Sequence, residues 1–76
     1  MHVAPFTPET QYILGNYYSS RGDNVKSVSH FKKCLALDST FTQAYLLMGH
    51  EYLNMPNTYA AIQSYRSATG NSIMNN

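Results

Sequence analysis

The feature that most constrains this chain is a period of 34 residues. Shifting the sequence by that length lays Gly15 on Gly49 and Tyr18 on Tyr52. It also brings Leu14 onto Met48, Val28 onto Ile62, Phe31 onto Tyr65 and Lys32 onto Arg66. Ser27 and Cys34 fall on Ala61 and Ala68, small residue on small residue. Only the glycine and the tyrosine are identical, yet size and polarity agree at every one of these pairs. A repeat of this length is one supersecondary unit that must stack on its copy, because neither can bury its apolar face alone.

Within each unit, two stretches of helical period flank a turn. Ile13, Leu14, Tyr17 and Tyr18 share a face, and Val25, Val28, Phe31 and Leu35 recur at three and four residues. Between them, residues 19–24 carry Gly22 to end one helix and Asp23 to cap the next. In the second unit Pro56 stops the helix and Asn57 or Thr58 caps its successor. Thr7-Pro8-Glu9 reads as an N-cap, a first-turn proline and a first-turn acid. Residues 37–40 link the units and supply capping oxygens. The predicted fold is all-α, with four helices near 8–20, 24–37, 42–54 and 58–69 in two antiparallel pairs. Residues 1–7 read as an N-terminal extension, 8–69 as the domain with repeats 8–41 and 42–69, and 70–76 as a flexible C-terminal tail.

A glycine inside a helix costs about 1 kcal/mol relative to alanine, yet one recurs at the same place in both units. The expected cause is steric: the partner helix presses against that point and leaves no room for a Cβ. Ser27 with Cys34, and Ala61 with Ala68, are the small residues expected on the facing helix. Tyr18 and Tyr52, one turn beyond each glycine, fill the space beside the contact. Gly49-His50-Glu51 is therefore expected to be part of a packing contact and not of an active site.

The remaining chemistry points the same way. A formal net charge of +1 with 12% charged residues gives no electrostatic ground for binding nucleic acid or an anionic membrane. Lys32-Lys33 is the one basic pair and reads as a solvated helix edge. The single cysteine, Cys34, forms no internal disulfide and is too little for a structural zinc site. A zinc-binding helix would need a second histidine four residues from His50, where Leu46 and Asn54 stand. His2 and His30 lie in other segments. Cys34 has His30 one turn before it, which resembles a nucleophile–base pair, but burial at a packing position raises a thiol's pKa and leaves it inert. Gly15, Gly22 and Gly49 stand alone and make no phosphate loop. No catalytic residue, cofactor or metal is expected. With no signal peptide and no apolar run of about 18 residues, the chain reads as soluble and from a reducing compartment.

The pattern Leu14-Gly15, Tyr18, Ser27, Phe31 and Cys34 returns as Met48-Gly49, Tyr52, Ala61, Tyr65 and Ala68. From Pro8 to Thr69 it resembles the tetratricopeptide repeat, a 34-residue helix–turn–helix. The family's usual Trp is Gln11 here and Tyr45 in the second unit; its closing proline is Ser39 in the first unit and missing from the second. A narrower resemblance rests on "TPET", "GNYYS", "AYLLMGHEY" and "NTYAAIQSYR". These segments resemble the cell-division-cycle protein 23 family of anaphase-promoting complex subunits. That resemblance implies a long helical solenoid that dimerises and scaffolds a multi-subunit ubiquitin ligase. The implied function is a non-catalytic protein-interaction module of the cell cycle, located in the nucleus or cytoplasm. Its partners would be proteins, including other tetratricopeptide subunits of the complex.

The resemblance also implies a concave groove lined by the first helix of each pair. Carried onto this sequence, its candidates are Tyr12, Asn16 and Ser19, then Leu46, His50, Leu53 and Asn54, flanked by Glu9, Ser20 and Gln43. The groove is also where a cochaperone-like adaptor would clamp acidic C-terminal tails, but Asn16 is the only matching clamp residue and Tyr12 stands where a lysine is expected. The same residues are equally compatible with a groove that is merely solvated surface. An incomplete gene product with no function of its own is a further reading of so short an array.

The second unit ends early. Thr69 stands where Leu35 closes the first, Gly70 breaks the helix, and the tail offers only Ile73 and Met74. Repeat arrays generally need three or more units to cover their faces. On the last helix, Ala61, Ile62, Tyr65 and Ala68 form an apolar stripe. Ile62 and Tyr65 are the candidate self-association residues of a symmetric homodimer.

Overall fold

Local signals place four helices. In a computed structural model, which describes residues 5–70, α1 spans Pro8–Ser20, α2 Asn24–Leu37, α3 Thr42–Asn54 and α4 Thr58–Thr69. The expected tail beyond Gly70, with Ile73 and Met74, lies outside the described residues, as do residues 1–4 of the extension.

Three of the four helices start on a side-chain cap. Thr7 Oγ1 accepts from the Thr10 N–H at 3.2 Å, the Asp23 carboxylate from Lys26 N–H at 3.1 Å, and Asn57 Oδ1 from Ala60 N–H at 3.2 Å. Each satisfies one of the orphan donors of a first turn. The chain leaves α1 through Gly22 at φ 77°, a left-handed conformation that lets the Asp23 N–H reach the Tyr18 carbonyl at 2.9 Å.

The third helix departs from expectation. Residues 37–40 do not cap it; its N-cap is Phe41, with no side-chain hydrogen bond. The Asp38 carboxylate turns back instead and accepts from the Thr40 N–H at 3.0 Å and the Thr40 hydroxyl at 2.6 Å. Those bonds hold its pKa below the usual carboxylate value. The Phe41 ring lies 4.9 Å from the Tyr12 ring. Burying a large apolar side chain is worth about 1.5–3 kcal/mol against about 1 kcal/mol for a cap, so the aromatic holds the position.

Consecutive helices pack on one another, α1 on α2, α2 on α3 and α3 on α4. The core forms where the two pairs meet, from Val28, Phe31 and Cys34 of α2 with Ala44 and Met48 of α3. Tyr12, Leu35, Phe41 and Tyr52 close its edges.

Both glycines lie at contacts with the facing helix of their pair. A Cβ on Gly15 would stand 2.5 Å from the Phe31 ring, and one on Gly49 2.7 Å from the Tyr65 ring. What presses on each glycine is thus the aromatic of the facing helix, which also carries the small residues, Ser27 and Cys34 on α2 and Ala61 and Ala68 on α4. A flat ring can enter the notch that a missing Cβ leaves, and the small residues let the helices approach closely enough for it to do so. Ser27, fully buried, adds a bond of its own: its hydroxyl donates to the Gly15 carbonyl at 2.8 Å. Cys34 and Ala61 are buried, while Ala68 is half-buried. Tyr52 joins the core edge, whereas Tyr18 stacks on the His30 ring at 5.3 Å, with the Lys26 ammonium 5.4 Å from its centroid.

Candidate functional site

The junction of the two pairs holds a buried carboxylate. Glu51, only 4% exposed, accepts from the Ser19 hydroxyl at 2.7 Å and from the Asn24 side-chain amide at 2.7 Å. Ser19 comes from the end of α1 and Asn24 from the start of α2, so one side chain of α3 ties down both helices of the first pair. Hydrogen bonds to a charged acceptor are the stronger kind. Considered only as a metal ligand or an acid–base group, Glu51 is not legible in this role from the sequence. The available signal was its place on the stripe Ala44, Met48, Glu51, a charge at helical spacing among buried apolar positions.

A second polar pair lies within the first unit. Gln11, buried on α1, lies with Oε1 2.8 Å from His30 Nδ1. Burial, then the charges of Lys33 and Lys26, lowers the His30 pKa. The Nδ1 side of the His30 ring is thus held by Gln11. The Cys34 thiol is itself pushed up by burial and by the carboxylates of Asp38 and Glu9.

The seven groove candidates do not form one site. Tyr12 packs between Phe31, at 5.9 Å, and Phe41, so it is a core-edge residue and not a free groove side chain. Ser19 is likewise engaged, by Glu51. Both were expected in the groove; the second pair takes them instead, because α3 docks on that side of α1. Asn16 is exposed and donates to the Tyr12 carbonyl at 3.0 Å. His50 is exposed, its ring edge-on to Tyr65 at 5.7 Å; Leu46 is half-buried, and Leu53 and Asn54 are exposed.

The 34-residue register explains the second set. Leu46 and Leu53 occupy the positions of Tyr12 and Ser19, which bind the following pair. Val28, under α3, is 6% exposed, whereas its counterpart Ile62 is 48% exposed, as is Leu53. The outer face of the second pair therefore repeats the docking face of the first, uncovered by any described residue. Tyr65 contributes less to that face than expected. It is half-buried with its ring on Gly49, which leaves Ile62 as the exposed member of the candidate pair.

Glycine under an aromatic, a small buried residue four positions before that aromatic, and a 34-residue step describe a known kind of unit. The family model of the tetratricopeptide repeat matches residues 8–41 and 42–71. The chain belongs to the tetratricopeptide repeat family. Among its relatives, the anaphase-promoting complex subunit CDC23 of Saccharomyces cerevisiae is 48% identical over 58 residues, covering 76% of this chain and 9% of the yeast protein. Anaphase-promoting complex subunit 8 of Arabidopsis thaliana is 48% identical over 55 residues, 72% of this chain and 10% of the plant protein. Subunit 8 of Dictyostelium discoideum is 40% identical over 61 residues, 80% of this chain and 10% of that protein. The tetratricopeptide pair thus spans about a tenth of the length of these relatives. Among the described residues, no helix is long and apolar enough to cross a membrane.

Proposed function

We propose that this repeat pair is a non-catalytic scaffold element of the anaphase-promoting complex type, acting through protein contacts in cell-cycle ubiquitin ligation within the nucleus or cytoplasm. The observation that carries the reading is the docking face of the second pair, uncovered by any described residue, with Ile62 exposed in the register where Val28 is covered. Such a face is the connecting surface of a helical array, and the relatives that match are subunits of one assembly. The junction supports the same reading. Glu51, Ser19 and Asn24 fix the angle between pairs, which is what a scaffold must transmit.

The deciding experiment is affinity purification of the tagged chain from cells, with bound proteins identified by mass spectrometry. Anaphase-promoting complex subunits are expected, and their recovery should fall when Ile62 is replaced by aspartate. A chain that captured acidic C-terminal peptides and none of those subunits would instead be a cochaperone-like adaptor, and the scaffold reading would be wrong.

A further inference from the structure

A separate surface lies away from the end face, between the second helices of the two pairs. Along α3 and its C-cap, Tyr45, Met48, Tyr52 and Met55 recur at three, four and three residues and form a floor flanked by α2 and α4. Against α2 the floor opens into a cleft of about 610 Å³, walled by Val25, Val28 and Ala36. Against α4 it opens into a smaller one of about 290 Å³, walled by Tyr59 and Ala60. Tyr52 lines both. The result is a trough with an apolar depression on either side of one ring. Val25, at the start of α2, is 71% exposed in it.

The trough is also one-signed. Lys32 and Lys33 stand on the rim of the larger cleft, and no carboxylate lines either one. The acids nearest in sequence are engaged elsewhere: Asp23 caps α2, Asp38 holds Thr40, and Glu51 is bound by Ser19 and Asn24. Every lining residue comes from α2, α3 or α4, so units added at either end of the array would leave the trough open.

We propose that this trough docks a short acidic segment of a protein partner. Two apolar side chains would seat on either side of Tyr52, and carboxylates beside them would face Lys32 and Lys33. Met48 on α3 and Met55 at its C-cap, seven residues apart, set the two depressions roughly 10 Å apart at 1.5 Å per residue. An extended segment covers that distance in about three residues at 3.3 Å each, so the anchors sit three positions apart. An apolar floor gives affinity, and a single-signed rim selects the partner and makes binding depend on salt. The inference does not rest on the scaffold reading and can fail independently of it.

The test is calorimetric titration of the whole chain with a blocked ten-residue peptide carrying two leucines three positions apart, flanked by glutamates. A second peptide replaces the glutamates with lysines. Micromolar binding of the acidic peptide is expected. It should weaken at least tenfold for the lysine peptide, for Lys32→Glu/Lys33→Glu and for Val25→Asp. All three substituted positions are exposed, so each variant should keep the circular dichroism and melting temperature of the parent. Equal affinity for both peptides, or indifference to the charge reversal, would overturn the proposal, as would no binding at millimolar peptide. It would equally fail if the charge reversal changed the chain's oligomeric state while peptide binding stayed intact, because the occupant would then be a second copy.

Discussion

At the scale of single residues, the two glycines make a matched experiment. An alanine at either gains about 1 kcal/mol of helix propensity but places its Cβ against an aromatic ring. Phe31, against Gly15, is 0% exposed and has nowhere to move. Tyr65, against Gly49, is half-buried, and the atoms nearest the new methyl lie toward its hydroxyl end. Overpacking costs about 1–3 kcal/mol where the surroundings cannot yield. Net of the propensity gain, Gly15→Ala is therefore expected to lower stability by up to about 2 kcal/mol, and Gly49→Ala by clearly less. Urea denaturation of both variants measures this, and equal losses would show that freedom of the ring does not set the cost. The glycines themselves were legible in the sequence because the repeat doubles them. Their aromatic partners were not, since a period aligns equivalent positions without saying which side chains meet across a helix crossing. The same limit hid Glu51, whose partners come from two other helices.

His30 carries a second prediction at this scale. Burial, with Lys33 and Lys26 nearby, lowers its pKa below the ordinary value of about 6.5. Between the folded and unfolded values the unfolded chain binds more protons, so stability rises with pH through that window. The contribution of His30 is fully present above about pH 6.5 and is lost as the pH falls below it. Urea midpoints at pH 7.5 and pH 5.5 should differ more for the parent chain than for His30→Gln. A variant with the larger pH dependence would overturn this assignment.

At the scale of helices, starts and stops were legible where the signal was local. Thr7, Asp23 and Asn57 are short polar residues before a helical stretch, and each caps as its chemistry dictates. The start of α3 was not, because a tertiary contact there outweighs the cap. Phe41→Ser tests this directly. A serine at that position could supply the missing cap, worth about 1 kcal/mol, but would remove the ring that packs on Tyr12. Because Phe41 is half-buried, its lost burial is about half to all of the 1.5–3 kcal/mol of a full aromatic. A net destabilisation of up to about 2 kcal/mol is expected by thermal denaturation. A more stable variant would mean that the Tyr12 contact contributes little.

At the scale of the whole molecule, two stacked pairs present an outer face that no described residue covers. We propose that the isolated chain covers that face by self-association as a symmetric dimer, with Ile62 at its centre and Leu53 beside it. Ile62 already hides half of its surface, so about half of the 1.5–3 kcal/mol available from an isoleucine is still to be gained, and Leu53 offers a similar share. Two copies double both contributions to about 3–6 kcal/mol in all, which corresponds to weak association at tens of micromolar to millimolar concentrations. Pairing the same patch about a two-fold axis closes the assembly, whereas stacking this face on the α1 end of another copy would continue without limit. Exposed Ile13 and Tyr17 lie on α1 and take no part in the two-fold arrangement. Sedimentation equilibrium should accordingly give a species of twice the 8.6 kDa monomer mass. Ile62→Asp should return it to monomer with the fold intact, and Ile13→Asp should leave the dimer unchanged. Mass that keeps growing with concentration, and is cut back by Ile13→Asp, would identify head-to-tail stacking and rule out the two-fold dimer.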